Sequence, residues 1–251
     1  MRRLFLPVLA GMAVAGLVSI AVVRQGAAAS PPANPVAPLP ELEKLPDLLG
    51  TQWIPEGVGD SEVTRLATIP LPAAKPAYQQ EMKKALAGLK TGQVKPMSAD
   101  CRLEGMPRLA WFPYPLQFLY GPGAVMIRAN GFVRGVATNS LKHPDELFDS
   151  NALQGFSIMG DQRASWEGDT LVIDTVKVRE DRDLFYGLPF DPDLHVEERY
   201  RLTGQDMLER VTTITAPHVL TAPWVVRTRY RRGPDASLAN YNCMLPGEPV
   251  T

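Results

Sequence analysis

His143, His195 and His218 are the only histidines in the chain, and imidazole is the natural general base near neutral pH. Strand alternation sets His195 on one face with Glu197 and Arg199, opposite Leu194, Val196 and Tyr200. If the apolar face is the core, His195 looks to solvent. If its own face lines a barrel, His195 with a carboxylate such as Asp161 carries proton transfer, and Arg163 or Arg199 steadies developing negative charge. His195, Asp161, Arg163 and Arg199 are therefore the candidate catalytic set, suited to a cofactor-free isomerase, lyase or hydrolase. His143 before Pro144 and His218 after Pro217 read as loop residues.

Other chemistries lack their spacing. There is no H-x-H or H-E-x-x-H, so no metal is expected, and no cofactor. Gly155 to Gly160 is one residue too long for G-x-S-x-G, which leaves Ser157 structural. Glu167-Gly168-Asp169 reads as a tight turn between strands with Trp166 packed beneath it, or, on a sharper reading, as a source of a catalytic carboxylate. Cys101 and Cys243 are the only cysteines; in an oxidising compartment they are expected to pair, the alternative being two buried thiols. Closing so long a loop would stabilise the fold by roughly 4–5 kcal/mol in the chain-entropy model.

Aromatic residues point to an interior. Trp111, Phe112, Tyr114, Phe118 and Tyr120 share one segment, while Trp166, Tyr200 and Trp224 sit on expected strands. In a barrel such rings either fill the core or wall a pocket. Tyr120, Trp166, Tyr200 and Trp224 are the candidate ligand wall, with Arg163 or Arg199 as polar anchor.

The elements that must position these groups are mostly strands. Gly50 to Ile54 is a short strand whose Trp53 can plug one end of a core. Residues 76–90 place Tyr78, Met82, Ala85, Leu86 and Leu89 at helical spacing behind Pro76, which predicts one amphipathic helix laid on the sheet. Beyond Cys101, short apolar runs alternate with turns: 116–120, 124–128, 132–138, 163–166, 170–178, 195–202, 207–215 and 224–231. Asn130-Gly131 between two such runs is a strong hairpin signal. Seven or eight consecutive strands predict an all-β antiparallel meander, closed into a lipocalin-like barrel so that no edge is exposed.

The first residues set the address. Arg2 and Arg3 precede an apolar run from Leu4 to Val23, followed by Ala27-Ala28-Ala29, the pattern of a secretory signal. The run is also long enough to span a bilayer, so residues 1–29 are a signal peptide or an N-terminal membrane anchor. Six prolines between Pro31 and Pro46 make residues 30–45 a tether, and 46–251 a single barrel-like domain. Either route places that domain in the periplasm or otherwise outside the cytoplasm, and membrane contact is expected only through residues 4–23 if they are retained. Without residues 1–29 the chain carries 23 basic and 27 acidic side chains, which gives no electrostatic reason to expect nucleic acid.

Several blocks together carry a resemblance. Pro46-Asp47-Leu48-x-Gly50-x-x-Trp53, Met159-Gly160-Asp161-x-Arg163-x-x-Trp166-Glu167-Gly168-Asp169-Thr170-Leu171-Val172, Leu194-His195-Val196-x-Glu198-Arg199, Pro223-Trp224 and Cys243 resemble a large family of exported bacterial proteins of unknown function. The resemblance implies export and the β-rich fold, and brings no reaction with it. That family often has an aromatic residue and Asp-Gly-Arg before its His-Pro, where this chain has Ala137 to Leu141 ahead of His143-Pro144. Gly50 and Trp53 also resemble the Gly-x-Trp opening of lipocalins, with one residue more between them.

Three functions follow: a barrel that binds a small apolar or aromatic molecule, the enzyme centred on His195, or an envelope-associated structural protein with a filled interior.

Overall fold

The computed structural model of the chain describes residues 46–49, 52–59, 61–95, 105–121, 124–129, 132–138, 158–179 and 183–233. Residues 1–45, His143, Ser157 and the Cys101–Cys243 pair lie outside the described residues.

Among the described residues nine strands form one barrel: β1 (Trp53–Pro55), β2 (Leu116–Gly121), β3 (Ala124–Ala129), β4 (Phe132–Thr138), β5 (Asp161–Glu167), β6 (Thr170–Val176), β7 (His195–Gly204), β8 (Met207–Thr215) and β9 (Trp224–Arg232). Each pairs with the next in sequence, and β9 closes on β1 through Ile54↔Arg231 and its neighbours. The meander is the expected one, with eight strands beyond residue 101 and the short Trp53 strand before them.

A ring with an odd number of strands cannot reverse direction at every joint, so one neighbouring pair must run parallel. That pair is β4–β5, joined by Ala137↔Arg163 and Thr138↔Ala164, and the other joints are antiparallel. A parallel joint needs a long crossover, and in the sequence residues 139–160 lie between the two strands. Gly160, at the end of that crossover, holds φ +73°, a conformation glycine enters freely.

Short helices accompany the barrel. α1 (Glu62–Leu66) begins on a Ser61–Thr64 capping box. α2 (Pro76–Thr91) is the expected amphipathic helix, with Pro76 in its first turn and Gly92 at φ +77° ending it. It buries Met82 and Leu89 and meets the β6–β7 connection at Gly187, where an added Cβ would lie 2.7 Å from the Glu81 carbonyl. α3 (Arg108–Trp111) was not foreseen, and it is the element that most changes the interior.

Alternation along the strands divides the wall cleanly. Val196, Glu198, Tyr200 on β7, Leu208, Arg210, Thr212, Ile214 on β8, and Trp224, Val226, Thr228, Tyr230 on β9 are all buried. Between them stand residues of the outer face such as Glu197, Arg199, Glu209, Arg227 and Arg229. Trp53, as expected, is wholly buried.

Candidate ligand-binding site

The pairing register defines two ends of the barrel. The hairpin end carries the β5–β6 turn at Gly168-Asp169 and the β7–β8 turn at Gln205-Asp206. The loop end carries the β6–β7 and β8–β9 connections.

At the loop end, α3 enters the lumen. Leu109, Ala110 and Trp111 are buried, and wall groups take up the carbonyls that a helix end leaves free: Arg210 donates to Leu109 O (3.3 Å) and Phe112 O (2.9 Å), and Thr212 to Ala110 O (2.7 Å). The Trp111 ring packs against Phe185 at 5.4 Å and Trp224 at 5.4 Å, and Trp224 Nε1 donates to Pro70 O. A buried Arg108–Glu62 pair at 3.0 Å ties α1 to this plug, with the Arg108 guanidinium 4.2 Å above the Phe112 ring. Nearby, the buried Asp191 carboxylate accepts from Asp193 N, His218 N and, at 2.9 Å, pairs with His218 Nδ1, fastening one connection to the other. Burial alone would raise the Asp191 carboxyl, but these contacts outweigh it and hold it below the usual range.

The centre of the lumen is charged. Arg134 on β4 grips Glu198 on β7 with both prongs, at 2.6 and 2.8 Å, and the Tyr200 hydroxyl donates to Glu198 at 2.5 Å while accepting from Arg134 at 3.1 Å. Burial would push Glu198 up and Arg134 down. The attraction between them prevails, so Glu198 titrates low and Arg134 high. Burial, and then the Glu198 charge, push the Tyr200 phenol well above its ordinary value.

The hairpin end is crossed by residues 46–49. Leu48 is buried, Trp53 Nε1 donates to Leu48 O at 3.1 Å, and the Tyr120 hydroxyl reaches Pro46 O. Here Tyr120 and Trp166, both half-buried, meet edge to face at 5.8 Å.

The four expected wall residues are thus inward-facing but divided. Tyr120 and Trp166 share the hairpin end, Tyr200 lies deeper against Phe118 at 5.2 Å, and Trp224 belongs to the loop-end cluster with Trp111 and Phe185. One register row across four strands nonetheless links two of this set to the charged centre: Trp166 pairs with Leu171, Leu171 with Tyr200, and Tyr200 with Arg210.

The four expected catalytic residues take the other side of the wall. His195 Nε2 lies 3.0 Å from Asp174 Oδ1 with both side chains about half exposed, and Arg163 stands across the ladder from the same Asp174. Arg199 contacts Glu167 and, at 3.8 Å, Glu197, while Asp161 lies 3.9 Å from Lys177. His195 therefore follows the solvent-facing branch of the alternation.

Arg134, Glu198 and Arg210 were missed, and their signal was visible. Each sits in the apolar phase of its strand, Glu198 between Val196 and Tyr200, Arg210 between Leu208 and Thr212, Arg134 two residues before Val136. A charge at a core-phase position needs a buried partner. No protein-family model, curated protein or solved structure matches the chain.

Proposed function

We propose that the barrel binds a small, mostly apolar or aromatic molecule outside the cytoplasm, entering at the hairpin end beside Tyr120 and Trp166. The observation that supports this most is the row from Trp166 through Tyr200 to Arg210, which sets a half-buried aromatic mouth against fixed polar groups farther in. An apolar surround with a few placed polar groups is the usual composition of a small-molecule site. The likeness of the Trp166 to Val172 block to exported bacterial proteins, and the apolar run behind Arg2-Arg3, support the extracytoplasmic address.

The test is titration of the purified protein with a neutral aromatic fluorophore such as aminoanthracene. Binding that weakens about tenfold in Trp166→Ala, with the unfolding midpoint little changed, agrees with the reading. Affinity unaffected by Trp166→Ala and Tyr120→Ala overturns it.

A second reading keeps the enzyme, on the single observation that His195 and Asp174 are in hydrogen-bond contact on the outer wall with Arg163 beside them. A His195→Ala protein that keeps any turnover the wild type shows removes it.

A further inference from the structure

Among the described residues the centre of the lumen holds two guanidinium groups, Arg134 and Arg210, and one carboxylate, Glu198. Both Glu198 oxygens are engaged by Arg134 and act on Arg210 only through space, with the Tyr200 hydroxyl also close; the hydrogen bonds that place the wholly buried Arg210 go to neutral acceptors, Leu109 O, Phe112 O and, at 3.4 Å, Thr228 Oγ1. Its Nε has no hydrogen-bond partner. The buried Tyr230 hydroxyl has none either, although Thr228 lies near enough to act on it. The two residues are neighbours on adjoining strands, with the Arg210 guanidinium 5.6 Å from the Tyr230 ring centre.

Both orphaned groups can donate, and what they lack is an acceptor. A water molecule would satisfy the geometry but not the charge, since Arg134 and Arg210 share the single carboxylate of Glu198 and an excess buried positive charge is costly. Tyr230 does not supply the missing charge as tyrosinate, because burial keeps its phenol above the ordinary value despite Arg210.

We propose that the lumen recognises a small carboxylate, one oxygen taking Arg210 Nε and Tyr230 Oη, with the ligand's apolar body directed along the row toward Trp166. This rests on the binding function proposed above and names the ligand's class: an apolar or aromatic monoacid rather than its neutral counterpart.

The experiment uses the full chain, benzoate and its neutral isostere benzamide, with chloride as a separate arm, and reads affinity by calorimetry. Tyr230→Phe is the diagnostic variant, since it deletes a hydroxyl that bonds nothing in the fold. The expected result is benzoate bound about tenfold or more tighter than benzamide, the preference shrinking to a few-fold in Tyr230→Phe. Equal affinities for the two, or a benzoate preference that Tyr230→Phe leaves intact, overturn the carboxylate assignment while leaving the binding function standing. Chloride competing as well as benzoate also overturns it, in favour of a simple anion site. If the fluorophore and both benzoic compounds fail to bind, the binding function itself falls, and this inference with it.

Discussion

Arg134 and Glu198 meet across the interior from strands three apart in the ring, in a two-pronged contact of 2.6 and 2.8 Å with both side chains nearly or wholly removed from water. Such a pair adds little net stability over apolar residues of the same volume, yet losing one partner leaves a bare charge inside. Glu198→Ala is therefore expected to cost about 3–5 kcal/mol in urea unfolding. Adding Arg134→Met to Glu198→Leu should recover most of that loss. A Glu198→Ala cost below about 1 kcal/mol would mean that Arg134 turns outward to water when freed.

Acid should act through the same carboxylate and through Asp191. Both titrate lower in the folded chain than in the unfolded one, so across that window the unfolded state binds more protons and stability rises with pH. Their contribution is complete above the unfolded values, about 4.3 for Glu and 3.9 for Asp, and is lost as pH falls through the folded ones. Unfolding free energy measured from pH 7 down to 3 should stay flat to about pH 5 and then fall. In Glu198→Gln and Asp191→Asn the fall should be shallower, from a lower plateau; an unchanged acid limb would assign it to other groups.

Two glycines with similar φ should behave differently. Gly168 has φ +63° in the β5–β6 turn with open space where a Cβ would go, so Gly168→Ala should cost only the left-handed conformation, about 1 kcal/mol. Gly160 has φ +73° with the Val176 carbonyl oxygen 2.6 Å from an added Cβ, and the crossover into β5 has to shift. Gly160→Ala should cost about 3 kcal/mol. Equal costs would show that the end of the crossover yields easily.

Period-two alternation carried most of the barrel into view before any coordinates. Over 195–201, 207–215 and 224–231 it assigns the side chains to their faces, because a one-residue slip would send Val196, Tyr200, Leu208 and Ile214 to solvent. What it lacks is distance around the ring: Trp166 and Trp224 share an inward phase yet lie at opposite ends, which only the register and the parallel β4–β5 joint determine. The plug was hidden for another reason. A four-residue helix has too few turns for periodicity to show, and in Met106-Pro107-Arg108-Leu109-Ala110-Trp111 the interior is announced only by composition. Arg210 and Thr212, placed in the core phase of β8, are the trace this plug leaves on the wall that holds it.

His195 supplies the sharpest separation between the two functional readings. Its contact with Asp174 is exposed on both sides, and exposed pairs contribute little, so His195→Ala should move the unfolding free energy by less than about 0.5 kcal/mol. A lumenal site also predicts that the variant binds the aromatic fluorophore within about twofold of wild type, since outer and inner faces share no side chains. A large loss of affinity with the fold intact would move the working surface to the outer wall, where Asp174 contacts this imidazole and Glu197 and Arg199 follow it on the same face of β7. The same variant therefore reads stability, affinity and any turnover at once; stability stays nearly unchanged on either reading, and only the lumenal one also leaves the affinity unchanged.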